Sequence, residues 1–484
     1  MKIKYLGHAG FSITTKNNTK ILMDPWFNSA FLESWYPYPD NSSLICESRD
    51  ADYIFLSHEH EDHCDIEFLK TTNAQIFIPK FRSDSFRVKL KANGISFLEL
   101  EPRESILIEE IKLTFIIQSS PAWDDSAIAV ECMVNDETFL NLNDLKPSVD
   151  DMHFMRDRFK KINLLAFQYS GASWHPMCNQ EIDTEEKRNI ILKKITNKFQ
   201  HTIKLIDELT PESVLPSAGP PIFLNRKHLK FNNSKTGVFP YLDEYLAFYN
   251  QENKKSKIKL LQPGDDVGMG QSNSEILDER EKYANSNYID LNWPQYDISI
   301  DQVIRYFSKE WVDIGSFKNL LNYSIIYEIT DIDLRFKVNP KVQLIEKVNA
   351  STKGDLILSL PSYVFQRIIN SITTWEEAFL SLHVTFNWNI PYNEYIITYH
   401  KYLHSDYLKD YLNNLAKTKS NETFEVEYEG KRLAVQRACP HAQGDLSRGE
   451  IIDGCIVCPS HGWRFNIKTG VCLDSPGRIT IKEL

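Results

Sequence analysis

The chain is poor in cysteine for its length, with 8 cysteines scattered among 484 residues. Secreted proteins that depend on disulfides concentrate cysteine far more densely, so a disulfide framework is excluded and reduced thiols are expected. The sequence contains no apolar run of the roughly 20 residues that a membrane-spanning helix needs. Its N-terminus also lacks the apolar stretch of a signal peptide. We therefore expect a cytoplasmic protein with no membrane partner.

The chain also has no excess of positive charge. Its 55 Lys and Arg are outnumbered by 66 Asp and Glu, which gives a formal net charge of −11. Basic residues do not cluster with aromatic ones, so nucleic acid is not an expected partner. The hydrophobic fraction of 42% is ordinary for a globular protein, and 484 residues are enough for two or three domains.

Two short motifs near the C-terminus each combine one cysteine with one histidine. Cys439 and His441 lie two residues apart, and after sixteen more residues Cys458 and His461 lie three apart. A Cys2His2 zinc knuckle would use the same atoms, but zinc motifs usually pair Cys with Cys and His with His. Mixed pairing, with a proline after each cysteine, is typical of a Rieske [2Fe–2S] cluster, in which two thiolates hold one iron and two imidazoles hold the other. These four residues are therefore the predicted cluster ligands.

Imidazole ligation raises the reduction potential of such a cluster, so it can accept electrons from a modest reductant. We expect an external electron donor, which could be a ferredoxin, a flavin reductase or a cytochrome b5-like protein. Cys455 and Cys472 lie near the motifs and are expected to be packed thiols. The C-terminal part of the chain is thus predicted to transfer electrons.

A second group of potential ligands lies near the N-terminus. The apolar run 53–56 indicates a buried strand, and it leads into a loop that holds His58, His60, Asp62 and His63. His58 and His60 can reach one metal, while Asp62 and His63 turn toward a second position. Imidazole with carboxylate suits Zn, Fe or Mn. An acidic surface loop would not explain this bunching at the end of a hydrophobic strand, so a metal site is predicted.

The pattern along the chain predicts its fold class. Short strands with turn signals fill residues 1–145, and residues 184–209 have the apolar spacing of a long amphipathic helix. Strands with such helices outside them, together with the His58–His63 motif, resemble metallo-β-lactamase folds. The expected architecture is therefore α/β, an αββα sandwich over residues 1–270.

The remaining residues are expected to form two further domains. Residues 263–288 have the composition of a loop or linker. Residues 290–415 mix helix and strand and predict an α+β accessory domain, with some likeness to sterol-carrier modules. Residues 420–484 are predicted to form a small all-β Rieske domain.

The N-terminal part resembles the metallo-β-lactamase half of CMP-N-acetylneuraminate hydroxylases, Rieske-containing oxygenases of sugar nucleotides. The matching segments occur in the family's order and are residues 5–9, 24–26, 58–63, 141–144, 171–173 and 216–219. The resemblance implies that Asp144 binds or bridges the metals and that His8 and Asp24 orient the ligating imidazoles. Asp62 and Asp144 are the carboxylates it implies at the catalytic centre.

The chain departs from this family in two ways. Its Rieske motif is C-terminal, whereas in those hydroxylases the Rieske module precedes the metal domain. A third histidine is also missing, because the segment 119–124 has none where the resemblance would place it and none directly follows Pro216. His175 and Asp124 are the residues expected to complete the ligand shell, although His175 could equally be a packed turn residue.

Zinc has no redox chemistry, so an electron-delivering module fused to a zinc site would have nothing to reduce. We therefore hypothesise one or two non-haem irons and a monooxygenase that uses O2 to hydroxylate a C–H bond or to oxidise an amine nitrogen. The substrate would be a small polar metabolite, such as a nucleotide sugar or a biosynthetic intermediate. A homo-oligomer would be needed if the cluster and the iron of one chain lie far apart.

Two other functions stay open on the sequence alone. One is a zinc-dependent hydrolase, a lactonase or phosphodiesterase, with an appended Rieske sensor domain. The other is a non-catalytic electron carrier with an incomplete metal site. The metal content of the protein distinguishes all three.

Overall fold

The computed structural model describes residues 1–118, 125–269, 279–312, 314–401, 403, 422–440, 444–459, 462–474 and 477–484. The chain divides into two compact units. The first comprises Met1–Gln118, Asp124–Ser173 and Glu185–Leu291, and the second comprises Ser119–Trp123, Trp174–Thr184 and Asn292–Leu484.

The first unit contains two sheets in which neighbouring strands follow the order of the chain. The first sheet consists of β1 (Lys2–Gly7), β2 (Gly10–Thr14), β3 (Lys20–Met23), β4 (Tyr53–Phe55), β5 (Gln75–Pro79) and β6 (Phe97–Leu100). The second consists of β7 (Ser105–Ile108), β8 (Ile111–Ile117), β9 (Ser126–Cys132), β10 (Glu137–Asn141), β11 (Leu164–Gln168), β12 (Ser213–Ser217) and β13 (Lys257–Ile258). In the first sheet β3–β6 are parallel and follow an antiparallel part. In the second sheet β10–β13 are parallel and likewise follow an antiparallel part.

A shared hydrophobic core joins the facing sides of these two sheets. The ring of Phe11 lies 4.9 Å from that of Phe139, and the ring of Phe55 lies 5.8 Å from that of Phe115. All four side chains are almost fully buried. Because side chains alternate between the two faces of a strand, residues two apart, such as Phe11 and Ile13, enter this core together.

Helices cover the outer faces of the two sheets. The helices of the first unit are α1 (Ile45–Arg49), α2 (Ile66–Leu69), α3 (Ser85–Ala92), α4 (Val149–Arg158), α5 (Thr184–Leu209), α6 (Leu242–Gln251) and α7 (Arg280–Ser286). Phe68 of α2 and Leu90 of α3 pack with Ile76 of the first sheet. On the second sheet, the Tyr245 ring of α6 lies 6.1 Å from Phe167 and 5.0 Å from Phe199 of α5.

The long helix α5 has the bounds that its apolar spacing predicts, Thr184–Leu209. Ile191, Ile195 and Phe199 are buried along one face, whereas Leu192 is 63% exposed. The expected loop over residues 263–288 is only partly correct, because α7 occupies Arg280–Ser286 and residues 270–278 lie outside the described part.

The second unit contains an α+β part and a small β part. The first of these is built from α8 (Ile300–Glu310), β14 (Ile325–Ile329), β15 (Leu334–Asn339), β16 (Leu344–Lys347), β17 (Leu356–Leu360), α9 (Ser362–Ile369), α10 (Trp375–Leu380), β18 (Thr385–Trp388) and α11 (Glu394–Lys401). The β part is built from β19 (Thr423–Tyr428), β20 (Lys431–Gln436), β21 (Ile451–Ile452), β22 (Cys455–Val457), β23 (Arg464–Asn466) and β24 (Ile481–Glu483). Its strands form two three-stranded sheets, β19-β20-β24 and β21-β22-β23. No helix in the described residues is long and apolar enough to cross a bilayer.

Candidate metal centre

The predicted ligand loop begins at the carboxyl end of β4, at the rim of the first sheet where the parallel strands end. Ser126 Oγ at the start of β9 donates a hydrogen bond of 2.7 Å to the Ser57 carbonyl, which ties this loop to the second sheet. His58, Asp62 and His63 are buried, with exposed fractions of 1%, 3% and 0%. Parallel strands expose their carboxyl ends at the same edge, so residues that follow neighbouring strands gather here.

Asp24 follows β3 and holds the base of the loop. Its carboxylate accepts hydrogen bonds from the Ser57 N–H at 2.7 Å and from His63 Nδ1 at 2.9 Å. A carboxylate only accepts, so His63 Nδ1 carries a proton, and Nε2 is the nitrogen that faces the centre. This hydrogen bond fixes the orientation of the His63 ring, and the role of Asp24 beside a bound metal stays a prediction.

His8, which follows β1, contributes to the centre in the same way. Its Nδ1 lies 3.0 Å from the Gly219 carbonyl oxygen, so Nδ1 is the donor. The other nitrogen, Nε2, lies 3.1 Å from Asp62 Oδ2. Since the sequence comparison implied only an orienting role, the presence of His8 among the potential ligands is new.

Asp144 follows β10 and faces the same point from the second sheet. Its Oδ1 lies 3.4 Å from His63 Nε2. His58 Nε2 and His60 Nδ1 are only 2.9 Å apart, so two imidazole nitrogens meet at one position. The predicted residues His58, His60, Asp62, His63 and Asp144 are therefore brought together.

Asp125 is a potential ligand that the sequence did not predict. It precedes β9 directly, and its Oδ1 lies 3.8 Å from His58 Nε2. The expected candidate, Asp124, lies outside the described residues. No signal in the sequence separates Asp125 from the neighbouring Asp124, so sequence reasoning could not identify it.

Three overlapping groups of donor atoms, each within 4.8 Å, could hold a metal in the described part of the chain. They are His8 with Asp62 and His63, Asp24 with His58 and His63, and His58 with His60 and Asp125. Among the described residues, four atoms of the predicted ligands and His8 are buried without a well-directed hydrogen bond, namely His8 Nε2, Asp62 Oδ1, His63 Nε2 and Asp144 Oδ1. Buried polar atoms are rarely left unsatisfied, so this donor set fits a bound cation.

The charges of the centre shift its pKa values in opposite directions. Burial acts to lower the pKa of His63, but the carboxylates of Asp62 and Asp144 outweigh it and hold that pKa well above the ordinary value. Burial lowers the pKa of His58, and the neighbouring His63 and His60 lower it further. Burial raises the pKa of Asp125. Without a metal, the proton on His63 partly balances the carboxylates.

Three residues of the centre have strained backbones. His8, Asp24 and Asn143 adopt positive φ angles of 50°, 40° and 51°, a region that residues other than glycine rarely occupy. Such strain persists only where the surroundings hold it, and it concentrates at functional sites. In this structure it directs side chains from β1, β3 and β10 toward one point.

His175 is not part of these groups. The structure assigns it to the second unit, where its Nδ1 lies 2.8 Å from Asn179 Oδ1 and its ring packs 6.4 Å from that of Tyr392. No group of potential metal ligands among the described residues includes it. Its alternative interpretation as a packed residue agrees with these contacts.

The two predicted thiolate ligands lie in the small β part. Cys439 and Cys458 are 0% and 1% exposed and belong to one hydrophobic cluster with Leu446 and Phe465. None of the eight cysteines, including Cys455 and Cys472, is in a disulfide. The predicted ligands His441 and His461 lie outside the described residues.

Family models match both ends of the chain. Residues 404–484 match the Rieske [2Fe-2S] domain, and residues 2–120 match the beta-lactamase superfamily domain. The chain therefore combines a metallo-β-lactamase-fold domain with a C-terminal Rieske domain, as predicted, and the Rieske domain implies a [2Fe–2S] cluster. The narrower resemblance to CMP-N-acetylneuraminate hydroxylases stays a prediction.

Relatives share either the whole arrangement or one end of it. A Rieske 2Fe-2S iron-sulfur protein of Mycolicibacterium smegmatis is 25% identical over 99% of this chain and 98% of its own. Aminopyrrolnitrin oxygenase of Pseudomonas fluorescens is 42% identical over 10% of this chain and 13% of its own. A metal-dependent hydrolase of Staphylothermus marinus is 36% identical over 15% of this chain and 32% of its own.

One solved structure is similar to part of this chain. It is CmlA, a diiron beta-hydroxylase from Streptomyces venezuelae, which matches with 14% identity and a TM-score of 0.39 over 55% of this chain and 53% of its own.

Proposed function

We propose that this protein is a Rieske-dependent non-haem iron monooxygenase. The observation that carries the proposal is the donor set: His58, His60 and His63 converge with the carboxylates of Asp62, Asp144 and Asp125. Sites with mixed imidazole and carboxylate donors suit iron. Zinc has no redox chemistry, so a zinc site could not accept the electrons that a [2Fe–2S] cluster delivers.

The residues of this chain would hold one or two irons and orient their ligands. Bound there, iron would supply the reductive activation of O2, with electrons that arrive from an external donor through the Rieske cluster. Asp24 keeps His63 Nε2 directed inward, and Asp125 supplies a carboxylate where related sites would use a third histidine. Asp62 and Asp144 provide the negative charge that retains the cation.

The proposed substrate is a small polar metabolite, and the reaction is a hydroxylation or an amine oxidation. A nucleotide sugar follows from the resemblance of the N-terminal domain, and a biosynthetic intermediate is the other proposal. A 48-residue segment of this chain is 42% identical to aminopyrrolnitrin oxygenase, and the similarity to an oxygenase supports the proposed reaction class.

Metal analysis of the full-length protein, purified without oxygen, tests the proposal. Iron, zinc and labile sulfide are counted per chain, and electron paramagnetic resonance separates the cluster from other iron. We expect iron in excess of the two atoms of one cluster, and O2 uptake by the reduced protein.

Asp125→Asn should lower the excess iron and leave the cluster intact, whereas Asp136→Asn, at an exposed turn, should change neither. A protein that holds zinc instead, and that hydrolyses lactones or phosphodiesters without O2, would be the hydrolase and not the oxygenase.

A further inference from the structure

A lysine that has no carboxylate partner among the described residues bonds to the sheet edge on which the candidate metal centre is built. Lys198 is in the middle of α5, and its Nζ donates a hydrogen bond to Oε1 of Gln168, the last residue of β11. Within the described residues this is its one hydrogen bond, and no carboxylate lies within ion-pair distance. Two of its three N–H donors therefore have no acceptor in the described part of the chain.

Lys198 is close enough to the centre for the charges there to act on it. Burial and, to a smaller extent, Lys146 lower the pKa of its ammonium to about 7, against the opposing effect of Asp144 and Asp125. Cations bound to Asp144 and Asp125 would neutralise those carboxylates. With those carboxylates neutralised, Lys198 would hold its charge in this partly buried place only if an anion lay beside it.

Gln168 lies at the same sheet edge as the metal ligands. It ends β11, which pairs in parallel with β10, and Asp144 follows β10. Its side chain is nine-tenths buried, and its amide N–H2 makes no hydrogen bond in the described residues. Ser217 Oγ, opposite Gln168 in the register of β12, is likewise buried without a partner. Spare donors thus accumulate on one side of the centre.

We infer that Lys198 and Gln168 bind an anionic oxygen group of the substrate, a carboxylate or a phosphate ester, and so position the rest of that molecule at the metal centre. This inference rests on the proposed function in one respect, namely that the bound molecule is the substrate. Recognition of the anionic group does not depend on which metal is bound. Lys198 is in this sense a substrate-positioning residue, and Lys146, which is exposed, adds charge at the rim.

Calorimetric titration of the full-length, metal-loaded protein tests the inference with three probes. Benzoate and phenyl phosphate carry the two anionic groups, and benzamide is the neutral counterpart of benzoate. We expect at least one anion to bind and benzamide to bind at least tenfold more weakly. Preference for benzoate indicates a carboxylate substrate, and preference for phenyl phosphate indicates a phosphate ester.

Lys198→Met should weaken binding of the anion at least tenfold, and Lys198→Arg, which keeps the positive charge, should retain most of the wild-type affinity. Lys193→Met is the matched control, since Lys193 is an exposed lysine of the same helix. Unchanged anion binding in Lys198→Met, as for an anion held by the metal alone, overturns the inference. Equal binding of benzamide or no binding of either anion also overturns it.

These titrations measure binding and not turnover. A finding of zinc instead of iron would therefore end the proposed oxygenase function and leave the result on Lys198 standing. Equal metal content and circular dichroism spectra of the variants ensure that any loss of binding comes from the side chain itself.

Discussion

At the scale of single residues, hydrogen bonds fix the orientation of the predicted ligands. Asp24 is fully buried and its carboxylate accepts hydrogen bonds from Ser57 and His63. Removal of a group that orients a ligating histidine typically costs a factor of about 10–100 in metal affinity. The centre should accordingly be most sensitive to changes at such positions.

For Asp24→Asn we expect metal affinity at the N-terminal centre to fall by a factor of about 10–100, because an amide cannot hold the Nδ1 proton of His63 as a carboxylate does. Competition with a chelator measures the affinity. Asp50→Asn, at an exposed position, serves as the control. Equal affinities in the two variants would show that Asp24 has no orienting role.

Proton release should accompany metal binding, because the carboxylates of Asp62 and Asp144 hold the pKa of His63 high against burial, and Nε2 must be free to bind. Affinity should therefore fall as the pH drops through that raised pKa. In the metal-free protein the same proton stabilises the fold below the unfolded pKa of histidine, and this stability is lost as pH rises through the folded pKa.

Calorimetric titration of the metal in buffers with different ionisation enthalpies counts the protons, and we expect about one per chain from His63. His58 should contribute none, since burial and the neighbouring imidazoles keep its pKa low. A heat of binding that is independent of the buffer near neutral pH would contradict the assignment.

At the scale of elements, some backbone segments of the Rieske domain pack so closely that only glycine fits between them. Gly470 has a φ of +72°, and a Cβ atom there would lie 2.1 Å from the Ile479 carbonyl oxygen. Gly430 has a φ of +77°, but a Cβ atom there would meet nothing within 4 Å. The two glycines thus share a backbone conformation and differ in how much room there is for a Cβ atom.

Gly470→Ala should prevent stable assembly of the Rieske domain, because the added methyl group clashes with the backbone of Ile479, whose N–H is itself bonded to the Gly470 carbonyl at 2.8 Å. Gly430→Ala carries only the cost of a positive φ, about 1–2 kcal/mol. Iron and labile sulfide per chain, with thermal unfolding, measure both variants. Full cluster content in Gly470→Ala would refute the importance of this contact.

At the scale of the whole molecule, the cluster thiolates and the candidate metal centre belong to different compact units. Cys458 lies in the second unit and Asp144 in the first. Each unit has its own core, so damage to one metal site should leave the other site able to bind its metal.

Cys458→Ser should remove the cluster iron and sulfide and leave the metal of the N-terminal centre in place, and Asp144→Ala should have the reverse effect. Cys46→Ser is the control, because Cys46 is an exposed free cysteine. Metal and sulfide analysis of the three variants checks the result. Loss of both sites in either variant would mean that the two units do not fold independently.

The sequence by itself determined what depends on residues close together in the chain. The motif His58–His63 after a buried strand, the Cys439 and Cys458 motifs and the helix Thr184–Leu209 were all predictable, because each is defined by short spacing and local periodicity. Matches to family models at both ends confirmed the two domain types.

Only the tertiary structure decided which distant residues complete the centre. His8 and Asp125 reach it from separate strands, Lys198 of α5 bonds to Gln168 at the same sheet edge, and His175 packs in the other unit instead. The register of two sheets and the packing of a helix fix these positions, and no spacing along the chain encodes them. Asp125 and Asp124 are equally acidic in the sequence, so the chain alone could not show that Asp125 lies beside His58.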